Sequence, residues 1–166
     1  MMKQIIAVCA LFVFSACGAS RKEMMQSVKE NNLLQEKQVN DYVFRLQYMP
    51  PEGSNADTSL VYFRMNILNA SGTPVKGTTT PAFSYGLDSL FAIVSGVDTI
   101  IPVDATRIAN GTLNGAEYML VFDKQSVLRN VESKLLFRDW LFTQQYISFP
   151  LSGNAINHID SLSLKI

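Results

Sequence analysis

Short runs of alternating apolar and polar residues dominate the chain from residue 41 onwards, which is the pattern of half-buried β-strands. Residues 42–48 carry an aromatic side chain or leucine at every second position, and residues 117–123 repeat this pattern late in the chain. Residues 60–68 alternate in the same way, with Phe63 and Ile67 on the apolar side. The sequence therefore predicts strands, and the proline, glycine and asparagine residues between them predict turns.

Further strands are predicted at residues 90–94 and 99–103, which flank a glycine-containing turn, and at residues 135–137, 145–149 and 161–166. The count is about eight or nine strands spaced roughly every ten residues, which is typical of a sandwich or barrel. We therefore expect an all-β fold, an antiparallel immunoglobulin-like β-sandwich over residues 41–166. A small closed β-barrel is the alternative.

Residues 17–40 show neither the strand period of two nor a clear helical period. Ser20 and Glu23 have the spacing of a helix capping box, but the apolar stripe after them is thin and residues 31–40 are mostly polar. We interpret this segment as a tether, helical or flexible, that lifts the domain off a membrane. The alternative is an N-terminal helix that packs on the sandwich.

Residues 1–16 have the layout of a secretory signal peptide. Lys3 supplies a positive start, residues 5–14 are an unbroken apolar run, and Ser15 and Ala16 are small. The run is about ten residues, shorter than the ~20 that a transmembrane helix needs, so it predicts a cleaved segment.

The four residues Phe14-Ser15-Ala16-Cys17 resemble the lipobox of bacterial lipoprotein precursors, with Phe14 where that family prefers leucine. The resemblance implies that Cys17 is acylated and becomes the first residue of the mature protein. Gly18 follows Cys17. In the lipoprotein family an aspartate at this position favours retention in the inner membrane, so the glycine implies an outer-membrane protein. No acidic run follows, so we expect it to face the periplasm. A chance cysteine behind a simple secretory signal is the alternative.

The order of late elements, a strand at 117–123, a hairpin and a final strand, is broadly similar to the C-terminal half of immunoglobulin-like domains of bacterial lipoproteins. The Cys…Trp…Cys pattern of true immunoglobulin domains is absent, so the resemblance implies only the architecture.

The balance of 14 basic and 14 acidic residues argues against a nucleic-acid partner. His158 is the single histidine, and Cys9 would leave with the signal peptide, so we expect no metal and no cofactor. His158, Asp160 and Ser161 are the residue types of a hydrolase triad, but an extended chain points Ser161 to the opposite face. We expect a protein that is not an enzyme and keep a hydrolase as a third hypothesis.

Two surface features remain. Ser89, Thr99 and Ser161 each follow aspartate and precede an aliphatic residue, which resembles the O-glycosylation acceptor pattern of some Gram-negative envelope proteins. Ordinary turn-to-strand chemistry is the alternative. Trp140 and Phe142 lie between two predicted strands, where they would form a partner contact at an exposed hairpin tip or part of the core.

The expected function is a lipid-anchored envelope module for binding, adhesion or assembly, with the membrane and other envelope proteins as partners. The alternative is a carrier of an apolar ligand, which the aromatic rows at 42–48 and 118–122 suggest.

Overall fold

A computed structural model of the protein describes residues 21–51, 56–75 and 81–163; the predicted signal peptide and Cys17 lie outside these ranges. The described residues form nine β-strands and three α-helices. The strands make two antiparallel sheets, so the predicted all-β sandwich is confirmed.

The elements follow one another with short connections. In chain order they are α1 (Arg21–Glu30), β1 (Leu34–Val39), β2 (Tyr42–Met49), β3 (Leu60–Asn69), β4 (Phe91–Ser95), β5 (Asp98–Ile100), β6 (Asp104–Arg107), β7 (Gly115–Asp123), α2 (Lys124–Leu128), β8 (Glu132–Asp139), β9 (Gln145–Ser152) and α3 (Gly153–Ser163). Two single turns of 3-10 helix, Pro81–Phe83 and Leu87–Ser89, precede β4.

The first sheet has the strand order β1-β2-β3-β7-β6 and the second has the order β5-β4-β8-β9. Residues 101–103 carry the chain from the second sheet back to the first, where the Val103 amide donates to the Val121 carbonyl at 2.7 Å. The inward side chains of the two sheets alternate with outward ones, as the period of two dictates.

The three helices gather at one end of the sandwich, which we call the helical end. Asp160 of α3 contacts both Tyr48, near the end of β2, and Lys124, the first residue of α2. The β4–β5 turn lies at this end too. The β8–β9 turn lies at the opposite end, with the β1–β2 turn and the loop before β7.

Aromatic side chains fill the space between the sheets. Phe91 and Phe137 stack with ring centroids 4.7 Å apart, and Phe44 lies 6.1 Å from Phe137 across the sandwich. Tyr48 and Phe63 lie 5.6 Å apart in the same core. The aromatic rows that suggested a ligand cavity lie on β2 and β7 of the same sheet, and their rings contact aromatic side chains of β3, β4 and β8. These contacts stabilise the sandwich.

The N-terminal segment differs from the predicted tether. Met24 and Val28 of α1 are buried, and α1 packs against α3, which is the alternative interpretation of that helix. The boundary predicted at residue 40 is wrong, because residues 34–39 form strand β1 beside β2. The sequence did not reveal this strand because two of its inward side chains, Gln35 and Lys37, are polar.

Those polar side chains have partners on the neighbouring sheet. The Gln35 amide donates to the Pro150 carbonyl at 2.6 Å, and the Lys37 ammonium donates to the Ser148 carbonyl. The Lys37 ammonium also lies 5.5 Å from the centre of the Phe149 ring. Strand β1 thereby closes one side of the sandwich against β9.

The predicted final strand at 161–166 is wrong for residues 161–163, which belong to α3; residues 164–166 lie outside the described part. Ala155, Ile156 and Ile159 of α3 are buried at helical spacing. Asp160 is buried beside them, and this charged residue interrupts the apolar pattern of the helix. Serine and leucine alternate after it, and that alternation predicted a strand.

Candidate functional site

Two aromatic side chains are exposed together beside the β8–β9 turn, and we call them the aromatic pair. Trp140 is 56% exposed and Tyr146 is 63% exposed. Their rings meet edge to face, with centroids 5.7 Å apart and an angle of 76° between the planes. Tyr146 points outward because the next residue, Ile147, is buried in the core.

A buried carboxylate holds the turn that carries Trp140. One oxygen of Asp139 accepts from the amides of Leu141 and Phe142 at 3.0 and 2.8 Å. The other accepts from the amide and the hydroxyl of Thr143 at 2.7 and 2.6 Å. Gln144 completes the turn with a φ of +58°. The carboxylate fixes the backbone of residues 141–143.

Phe142 attaches the same turn to the core. Its ring lies 5.4 Å from Tyr42 and 5.4 Å from Phe83, at edge-to-face angles, and it is partly buried. The structure thus separates the two residues that the sequence grouped as one partner contact. Trp140 lies on the surface, whereas Phe142 packs into the sandwich.

The surroundings of the aromatic pair are polar. Arg138 lies opposite Tyr146 in the register of β8 and β9, and Gln144 and Gln145 are exposed beside it. Such a surface offers ring faces, amide groups and one cation to a ligand. Sequence reasoning missed Tyr146, although it falls on the outward side of the predicted strand at 145–149.

An open groove of about 520 Å³ lies at the same end of the sandwich. It is lined by residues 84–85 and 106–113, and the side chains of Tyr85 and Leu113 are exposed at its walls. The Val75 amide donates to the Leu113 carbonyl at 2.9 Å and holds one wall.

Buried polar groups elsewhere hold elements together. Tyr48 donates to one oxygen of Asp160, and the Lys124 ammonium lies 2.5 Å from the other. Burial raises the pKa of the Tyr48 phenol, and the Asp160 carboxylate adds to this shift. The cluster joins β2, α2 and α3, and each of its groups already has a partner, so we assign it a structural role.

A second buried carboxylate, Glu117 of β7, has a similar role. It pairs with Arg64 of β3 and accepts from the Asn110 amide at 2.6 Å, which ties the groove loop to the first sheet. Burial raises the pKa of the neighbouring Tyr118 phenol to about 12.

The residues of the supposed hydrolase triad do not converge. His158 is exposed on α3, whereas Asp160 is buried and engaged by Lys124. The Ser161 hydroxyl donates to the His158 carbonyl at 2.7 Å, not to its ring. Within the described ranges, no group of histidine, cysteine, aspartate and glutamate side chains could hold a metal ion.

The three residues of the glycosylation pattern are all exposed. Ser89 ends a turn of 3-10 helix and donates to the Gly86 carbonyl at 2.7 Å, and Thr99 lies on the edge strand β5. Ser161 lies in a helix, not at the start of a strand as predicted. Cys17, the predicted lipidation site, lies outside the described residues.

No protein-family model matches this chain, and neither the curated proteins nor the solved structures contain a match. Among the residues that the structure describes, no helix is long and apolar enough to cross a membrane.

Proposed function

We propose that the protein is a lipid-anchored envelope protein that binds another envelope protein through the aromatic pair. The anchor rests on the resemblance of residues 14–17 to a lipobox and would place the protein on the outer membrane, facing the periplasm. The observation that carries the binding role is the exposure of two adjacent aromatic side chains, Trp140 on the turn that Asp139 holds and Tyr146 at the start of β9.

Rigid exposed aromatics suit binding because they add a large apolar contact area at low cost in conformational entropy. Trp and Tyr are also the side chains most enriched among residues that dominate binding energy. The pair lies at the end of the sandwich opposite α1, the helix nearest to Cys17 in sequence. A partner could therefore reach it without contacting the anchoring membrane.

A binding module is favoured over a carrier because the aromatic rows that suggested a cavity pack against the facing sheet, Phe44 against Phe137 and Tyr118 against Phe91. The hydrolase hypothesis loses support because Asp160 is occupied by Lys124 and Tyr48.

Photo-crosslinking in the native host tests the proposal. A photoreactive amino acid at Gln144, beside the aromatic pair, should capture one envelope protein, whereas the same probe at Gln125, exposed on α2, should not. The combined change Trp140→Ala and Tyr146→Ala should abolish the product at 144. A product that persists in this variant, or that forms equally at 125, would count against the aromatic pair.

Membrane fractionation tests the anchor separately. The Cys17→Ala protein should remain uncleaved or become soluble. If it still fractionates with membranes as a mature form, the lipoprotein assignment fails.

A further inference from the structure

Several aliphatic side chains of the described residues are exposed at the helical end, Val103 among them, and we call Val97, Ile101 and Val131 the aliphatic rim. Val97 is 100% exposed at the tip of the β4–β5 hairpin, Ile101 is 69% exposed after β5, and Val131 is 59% exposed before β8. Single exposed apolar residues are common on proteins, so their significance depends on how they are grouped.

A hydrogen bond and a shared depression connect the segments of the rim. The Asn130 amide donates to the Ser95 hydroxyl at 2.8 Å, which joins the loop of Val131 to the hairpin of Val97. Ile101 lines a shallow depression of about 410 Å³ together with Asp98 and Arg129. The rim therefore surrounds one small area of surface.

The position of Val97 is unusual for a turn. Gly96 takes a φ of +63°, as the first position of a tight hairpin turn requires, and polar residues normally fill such tips. A fully exposed valine adds nothing to the core. Its exposure is explained if the tip enters an apolar environment.

The depression inside the rim holds an ion pair. Asp98 and Arg129 pair at 3.3 Å, with both side chains exposed. Glu132, exposed next to Val131, is the nearest other charge in sequence. Asp123 lines the same depression.

The rim lies at the same end as the helix that follows the predicted anchor. Helix α1 packs against α3, and the first residue of α3, Gly153, donates its amide to the Val131 carbonyl at 2.9 Å. Four residue steps separate Arg21 from Cys17, which the chain can span over at most about 14 Å. A lipid on Cys17 would hold the helical end close to the bilayer.

We infer that the aliphatic rim inserts into the headgroup layer of the membrane that holds the Cys17 lipid. This inference rests on the proposed function, since it needs the anchor. Insertion would orient the sandwich with its helical end on the bilayer and the aromatic pair directed away from it. The occupant of the rim is thus a lipid surface, because the tether keeps that surface within reach.

The test uses the full lipidated protein in phosphatidylcholine vesicles. An environment-sensitive fluorophore is attached to Val97→Cys, with Gln144→Cys at the opposite end as the matched control. Labelling is specific because the acylated Cys17 is the single cysteine beyond residue 16. Spin-labelled lipids then report how close each probe lies to the acyl chains.

We expect quenching about threefold stronger at 97 than at 144, since interfacial residues insert about 5–10 Å into the headgroup and acyl boundary. Val131→Asp should reduce the quenching at 97. Protein that floats with the vesicles while its probe at 97 stays in water would overturn the rim and leave the anchor intact. Protein that fails to float would overturn the anchor itself. A probe shielded from water but not quenched would show a protein contact and overturn the inference.

Discussion

The Asp139→Ala variant gives the sharpest test of how the aromatic pair is held. The carboxylate is fully buried and accepts four hydrogen bonds, three of them from backbone amides of residues 141–143. Alanine leaves these three donors without their acceptor. The turn residues are only partly buried, so water can replace part of each lost bond.

An unsatisfied buried donor costs about 1–3 kcal/mol, and partial access to water favours the lower value. Three amides at about 1 kcal/mol each predict that Asp139→Ala lowers the free energy of unfolding by about 3 kcal/mol. With a urea m-value of about 2 kcal/mol/M, the unfolding midpoint should fall by about 1.5 M.

Two variants that disturb fewer hydrogen bonds give reference values for this loss of stability. Thr143→Val removes the hydroxyl bond alone and should cost about 1 kcal/mol. Asp139→Asn keeps one oxygen acceptor but places an amide donor against the Thr143 amide, so its cost should lie between those of the other two variants.

Urea unfolding can be followed by far-UV circular dichroism and by fluorescence, since Trp140 is the single tryptophan and lies next to Asp139. Coincident transitions would show that the turn unfolds with the domain. A loss below about 1 kcal/mol for Asp139→Ala would refute the argument that the carboxylate holds the turn.

Three further predictions concern the core and the helical end. Asp160→Ala should cost about 3–5 kcal/mol in urea unfolding, because it leaves the Lys124 charge and the Tyr48 hydroxyl without their partner; an effect within about 1 kcal/mol would contradict this role. Phe137→Ala should cost about 3–5 kcal/mol by the same assay, because it removes a ring stacked on Phe91, and a variant with an unchanged midpoint would mean that the core is filled otherwise. Asp123 caps α2, and its bonds from the Ser126 hydroxyl and amide lower the pKa of its carboxyl. The charge of Asp123 should therefore stabilise the fold above pH ~4, and this stabilisation should be lost as the pH falls further. The difference in unfolding free energy between the natural protein and Asp123→Asn should shrink in acid, and a constant difference would contradict the pKa shift.

The strands of the core were predictable because their side chains obey the period of two. Phe63 of β3 and Tyr118 of β7 lie in runs that the alternation identified, and both are buried. Burial on one face of an antiparallel sheet is a local pattern, so it can be read without knowing the partner strand.

The elements that sequence reasoning missed depend on distant partners. Strand β1 carries Gln35 and Lys37 inward, and only the carbonyls of β9, more than a hundred residues later, make this position favourable. Helix α3 buries Asp160 because Lys124 and Tyr48 meet it there. A polar residue with a remote partner gives no signal in a local pattern.

Only one residue of the aromatic pair was identified from the sequence. Trp140 was identified as a residue that would be either a surface contact or core, and the decision depended on the turn that Asp139 forms. Tyr146 joins it only through the register of β8 and β9, which the sequence does not specify.

The contacts of Gln35 and Lys37 with β9 also bear on how such molecules would behave when crowded. On the proposed membrane anchor, copies of the protein would meet side by side, and an open strand edge would let one sandwich extend its sheet onto the next. Here the carbonyls of Ser148 and Pro150 are already bonded within the molecule, and Pro150 has no amide hydrogen to offer. This edge of the second sheet is thereby protected against pairing with a neighbouring copy.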